Sequence, residues 1–200
     1  MSDTATAPNV LVVDDEMQIR RFLRSGFELD GYSVSEAENG REAIRAATLR
    51  PTDLIILDHG QKPRNFREID HPTHSAKGHN PLCGDRINLY LTVEGDTITD
   101  VSFQGRGCAI STASSSLMTE VLKGKTLDEA NQMFRAFHAK ITGGEDVQIA
   151  DVLEDDFERL TPLEGVAAYP ARVKCATLAW HALEAALKAG GTVAEPVKTE

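Results

Sequence analysis

The side chains in this 200-residue chain most able to do chemistry are three cysteines and one aspartate. Cys83 and Asp85 flank Gly84 in the turn sequence PLCGD, Cys108 follows Gly105 and Gly107, and Cys175 falls within PARVKCATLAW. Zinc takes four tetrahedral ligands from thiolate, imidazole and carboxylate, and three thiolates with one carboxylate meet that preference. Three cysteines cannot all pair, and in a reducing compartment thiols are kept for metal binding or reactivity. Spacing alone leaves a second reading open. There is no CxxC pair, and buried thiols beside a solvated aspartate would give the same letters.

The remaining candidates read more simply. His71, His74 and His79 precede the turn and are expected to be surface or hydrogen-bonded histidines, while His138 and His181 fall on helices at a core boundary. Trp180 is expected to be partial core. Ser111, Ser114, Ser115 and Ser116 lack a base in any recognisable motif, so a serine nucleophile is not expected.

The elements that must position these residues follow from periodicity. NVLVVDD from Asn9 is a continuous apolar strand ending in carboxylates, Glu16 to Leu29 has helical spacing, and Tyr32 to Ser35 is a short strand. Gly40 to Leu49 reads as a helix stopped near Pro51, and Asp53 to Leu57 is again apolar, although that run suits strand or helix. The sum is βαβαβ, the start of a parallel sheet. Carboxylates at the ends of such strands, here Asp14, Asp15 and Asp58, converge where they can hold a divalent cation and accept a phosphoryl group.

Beyond His59 the pattern changes. Ile87 to Val93 and Ile98 to Phe103 alternate around Glu94-Gly95-Asp96, which predicts an antiparallel hairpin feeding Cys108. Ala109 to Leu122 is a helix whose small first residues leave donors free for a ligand. Thr126 and Glu129 form a capping box for a helix to about Lys140, broken at Gly143-Gly144. The acidic Glu145 to Arg159 segment reads as solvated helix or loop, Pro162 to Pro170 as a connection, and Arg172 to Lys188 as a last helix with Cys175 on its apolar side. The class is α+β: a small antiparallel sheet packed by helices, preceded by a partial βαβαβ unit. Expected boundaries are 1–55, 56–190 and a disordered tail, 191–200.

Composition removes several functions. A net charge of -10 with no basic stripe makes a poor nucleic-acid binder. There is no apolar run of about 18 residues for a membrane span and no targeting leader, so a cytoplasmic location is expected.

Residues 9–58 resemble a response-regulator receiver domain, with VLVVDDE similar to its acidic pair and LIILD to the strand bearing its phosphoacceptor, here Asp58. The resemblance covers the first half of such a domain. The later strands with a hydroxyl residue and a lysine are missing, which removes a donor and a cation from the phosphoryl oxygens. The three-stranded sheet is expected to keep an open edge and an uncovered face.

LDHGQKPRN, HNPLCGD, FQGRGCAISTASSSLMTE, KGKTLDEA and PARVKCATLAWHAL resemble, in order over about residues 56–187, the SufU branch of the NifU/IscU-like iron-sulfur cluster assembly family. The resemblance implies that Cys83, Asp85, Cys108 and Cys175 bind zinc or a nascent iron-sulfur cluster. It names Cys83 as acceptor of sulfur from the persulfide of a SufS-type cysteine desulfurase, acting with other cluster assembly proteins. At most this would make the chain a zinc-dependent persulfide sulfurtransferase. Lys174 stands where the IscU branch has histidine before the last cysteine, which favours sulfur transfer over the alternative, a scaffold that builds a cluster on itself. Three thiolates, a carboxylate and zinc leave a charge of about -2, which Arg106, Arg172 and Lys174 are placed to offset. Arg172 is expected to tune or dock rather than react, or else to be a solvated helix start.

Overall fold

In the computed structural model, which describes residues 8–14, 17–29, 31–38, 40–49, 54–57, 59, 62–145, 147–190 and 196–199, the apolar run Asn9–Val13 forms β1. It is the middle strand of a parallel sheet ordered β2-β1-β3, with β2 at Ser33–Ala37 and β3 at Leu54–Leu57. A strand enclosed on both sides has no need of polar alternation, and Val10, Leu11, Val12 and Val13 are all buried. Leu11, Val13 and Ala37 share one face with Ala43, Ala46 and Ala47 of α2 (Gly40–Leu49). Val10 and Val12 point to the other face, and α1 (Met17–Leu29) packs against β1 and β2. The expected uncovered face is therefore corrected at β1, because its residues are buried on both faces. The ambiguous LIIL run is a strand. Asp14 is buried at the end of β1, its N–H donating to the Ala37 carbonyl at 3.1 Å. Asp15 and Asp58, the other expected carboxylates, lie outside the described residues.

The chain divides into two compact units, Met1–Asp58 and His59–Glu200. The second contains a four-stranded sheet ordered β6-β5-β4-β7: β4 at His74–Asn80, β5 at Asp85–Glu94, β6 at Thr97–Arg106 and β7 at Val197–Lys198. The hairpin β5–β6 turns at Gly95, whose φ of +65° suits glycine, and pairs Leu89 with Phe103. β4 was not anticipated, since HSAKGHN carries little apolar signal. It forms because pairing with β5 buries Ala76, Gly78 and Asn80 on alternate positions. Within the segment expected as a tail, Val197 and Lys198 run parallel to Gly78 and His79, and Thr199 is buried.

Helices cover this sheet. α3 (Ala109–Leu122) and α6 (Pro170–Lys188) pack on each other, and α6 also lies across β4 and β5. The serines of α3 explain the closeness: Ser114, Ser115 and Ser116 are buried, and the Ser114 hydroxyl donates to the Ala176 carbonyl at 2.6 Å. Trp180 is fully buried rather than partial core, stacked on Phe137 at 4.8 Å with its Nε1 donating to Ser114 Oγ at 3.1 Å. α4 (Leu127–Thr142) starts with the expected Thr126/Glu129 capping box and ends at Gly143 with φ +73°. The acidic stretch holds a short 3-10 turn and α5 (Glu154–Glu158), and Thr161–Ala168 is 3-10 helix leading into α6.

Candidate metal centre

The turn PLCG joins β4 to β5, and its shape is set by Asn80. The Asn80 side-chain oxygen accepts from Leu82 N–H at 3.1 Å and its carbonyl from Gly84 N–H at 2.8 Å, while Gly84 takes φ +74°. This leaves Cys83 exposed at the tip and returns Asp85 to the first position of β5, buried and paired with Asn80. Cys175, one turn inside α6 and buried, comes up beneath it, its Sγ 3.3 Å from Cys83 Sγ. The donor atoms of Cys83, Asp85 and Cys175 all lie within 4.8 Å of one another, the one such group among the described residues.

Cys108, the fourth expected ligand, stands outside that donor group and borders it as the N-cap of α3. Its backbone N–H donates to Asp85 Oδ1 at 3.0 Å, and its Sγ accepts from Ser111 N–H at 3.5 Å. Asp85 Oδ2 is buried without a hydrogen-bond partner. An orphaned carboxylate oxygen grouped with the Cys83 and Cys175 sulfurs is costly unless a cation faces it. That observation fits a divalent, thiolate-preferring metal such as zinc. Tetrahedral Zn–S bonds of about 2.3 Å separate sulfurs by about 3.8 Å, so the Cys83 and Cys175 sulfurs at 3.3 Å need to part only slightly.

The thiols are unequal. Hydrogen bonding from Cys175 brings the Cys108 thiol down to about 6, with help from the Ser111 and Ile110 N–H groups and against burial and the Asp85 charge. Cys175 is pushed far above the ordinary thiol range, first by donating to Cys108, then by burial and by its bond to Cys83. Cys108 is therefore the first of that pair to become a thiolate.

Two contributors escaped sequence reasoning. Asn80 Nδ2 donates to Cys175 Sγ at 3.6 Å from a fully buried position, and Ser111 supplies the N–H at Cys108. The Asn-Pro pair before the cysteine turn was the available signal for the first. Arg172 sits exposed in the first turn of α6, and Arg106 is exposed on β6 directly opposite Arg86. Lys174 is half-buried beside Cys175 and lines a separate cavity. His71 is exposed, and His74 Nδ1 meets Thr73 Oγ1 at 2.9 Å. With His79, these three stay outside the donor group.

Residues 53–190 match the model of the NifU-like N terminal domain. The chain belongs to the NifU-like N-terminal domain family. Residues 10–60 match the response regulator receiver domain. Over 130 residues the chain is 42% identical to the zinc-dependent sulfurtransferase SufU of Bacillus subtilis, covering 65% of this chain and 84% of that one. It is 32% identical over 136 residues to the iron-sulfur cluster assembly scaffold protein IscU of Escherichia coli, covering 66% and 88%. Among solved structures, an iron-sulfur cluster assembly scaffold protein for the SUF system from Fervidobacterium islandicum matches with a TM-score of 0.58 and 35% identity, over 65% of this chain and 91% of that one. The NifU-like domain thus contains the whole candidate centre, from Asn80 to Cys175.

Proposed function

We propose that the chain serves iron-sulfur cluster assembly by accepting sulfur at Cys83 from the persulfide of a cysteine desulfurase and passing it on. The carrying observation is the asymmetry of the centre: Cys83 is exposed on a glycine turn, whereas Cys175 is buried and Cys108 half-buried. A sulfur donor held on another protein can reach only an exposed thiol. The relative named zinc-dependent sulfurtransferase supports the same role, as does Lys174 where the scaffold branch has histidine.

Cys83, Asp85, Cys108 and Cys175 would hold zinc, which when bound lowers the thiol pKa values and keeps the sulfurs as thiolates. The chain's own part is to orient and to react. Asn80 and Asp85 fix the base of the turn so that Cys83 faces outward. The Cys83 sulfur attacks the terminal sulfur of the partner's persulfide, the partner's S–S bond breaks, and the partner cysteine leaves as thiolate. Cys83 then carries the persulfide. Arg172, exposed one turn before Cys175, is proposed to dock the partner or offset its charge.

Mixing the full chain with a SufS-type desulfurase and cysteine, followed by mass spectrometry of intact protein and peptides, tests this. One added sulfur atom on Cys83, absent from Cys83→Ser, is expected. Sulfur found on Cys108 instead, or none while the desulfurase turns over, would sink the proposal. The relatives named as scaffolds favour a second reading, in which the four ligands assemble a cluster as cargo. Iron and sulfide would then give a visible chromophore stable to gel filtration.

A further inference from the structure

A cavity of about 450 Å³ lies between α4, α6 and β7, within the size range of small-molecule sites. His138 of α4, Lys174 and His181 of α6, Lys198 of β7 and the following residue, Thr199, line it, with Val173 among its apolar walls. Among the described residues that line it, none is Asp or Glu, in a chain whose net charge is -10. Neither lysine has an ion-pair partner among the described residues. The first turn of α6 also borders it through Pro170, so the positive end of a 19-residue helix adds to the field.

A second observation is independent of charge. Thr199 is 6% exposed, and its Oγ1 is buried without a hydrogen-bond partner. A buried hydroxyl is ordinarily satisfied, and this one belongs to the wall of a cationic cavity. The imidazoles of His138 and His181 stand 5.3 Å apart there, offering further donors.

We propose that this cavity binds a small organic oxyanion, a phosphate or carboxylate head held by Lys174, Lys198 and Thr199 on a compact body packed against the apolar walls. The site does not depend on sulfur transfer at Cys83. It also gives β7 a role, since Lys198 and Thr199 reach the cavity only because this strand pairs with β4.

Ligand-observed NMR and calorimetry on the full chain, with phenyl phosphate, benzoate, inorganic phosphate and benzyl alcohol as probes, test the proposal. At least one of the two aromatic anions should bind with a dissociation constant of about 1 mM or tighter, and the tighter of them identifies the head group. Benzyl alcohol and inorganic phosphate should each bind at least about ten-fold more weakly, the first lacking charge and the second lacking the body. Lys198→Glu should weaken the anion at least about ten-fold, with Thr199→Val as an uncharged second variant should the first fail to fold. No binding of either aromatic anion at about 10 mM would overturn the proposal. Equal binding of benzyl alcohol would overturn the anion class, and inorganic phosphate binding as tightly as phenyl phosphate would overturn the organic body. Unchanged affinity in both folded variants would overturn the location.

Discussion

Asp85 divides its two oxygens between the protein and the candidate centre: Oδ1 holds the Cys108 N–H, and Oδ2 is left over. A residue with one structural bond and one free buried lone pair is suited to be a replaceable ligand. Asp85→Ala should therefore lower zinc content and loosen the start of α3 together. Asn80 acts one step behind it, through its bond to Cys175 Sγ. Groups that orient a metal ligand in this way carry about 10–100-fold in metal affinity, so Asn80→Ala should lose zinc to a competing chelator at a correspondingly lower concentration. Unchanged competition would show that the 3.6 Å contact is incidental. Cys83, Asp85 and Cys175, which the fold brings within 4.8 Å of one another, could be singled out in the sequence because the chain has few cysteines and Asp85 stands two residues from one of them. Asn80 and Ser111 could not, because each acts by where the backbone places an ordinary amide.

At the scale of elements, α6 organises the second unit, and Gly78 sets how closely it lies on β4. A Cβ at Gly78 would stand 2.8 Å from Ile87 Cγ2 and 3.0 Å from Leu178 Cδ1. Gly78→Ala should cost about 1–3 kcal/mol through overpacking, read as a lower urea midpoint at unchanged m-value. The same helix carries His181, whose pKa burial holds below the ordinary value, with His138 of α4 and Lys188 adding to the depression and Glu184 opposing it. Lys174 and Lys198 face the same cavity. In the unfolded chain this imidazole takes up a proton near its ordinary value of 6.5, before the folded one does. Its contribution is thus complete above about pH 6.5 and is lost as pH falls toward the folded value. His181→Gln should flatten the fall of the urea midpoint between about pH 7 and 5, and an identical slope would refute it. Local signals gave the capping box at Thr126, whose side chain bonds its own neighbours, and the turn at Gly95, whose φ of +65° suits glycine. β4 and β7 depend on partners distant in sequence, so HSAKGHN and VK carry almost no strand signal of their own.

For the whole molecule, the question is whether residues 10–60, which match a receiver, still work as one. The sequence after β3 answers in structural terms. His59 Nδ1 lies 2.7 Å from Ser116 Oγ, the Arg64 N–H donates to that same hydroxyl at 2.7 Å, and Asn65 Nδ2 donates to Thr119 Oγ1 at 3.0 Å. Residues that would have begun the rest of a receiver are thus committed to α3 of the NifU-like domain. No fourth strand joins β2-β1-β3 among the described residues, and none of those strands brings in both the lysine and the hydroxyl that phosphoryl transfer needs for charge stabilisation. Incubating the full chain with acetyl phosphate and Mg²⁺ should yield no acid-labile adduct. An adduct that disappears in Asp58→Ala would restore receiver activity to the first unit. A chain trimmed to begin at Pro51 should meanwhile keep about one zinc per chain, because every proposed ligand and every bond that orients one belongs to the second unit. Loss of metal on trimming would mean that the first unit supports the centre, and would overturn the separation of the two.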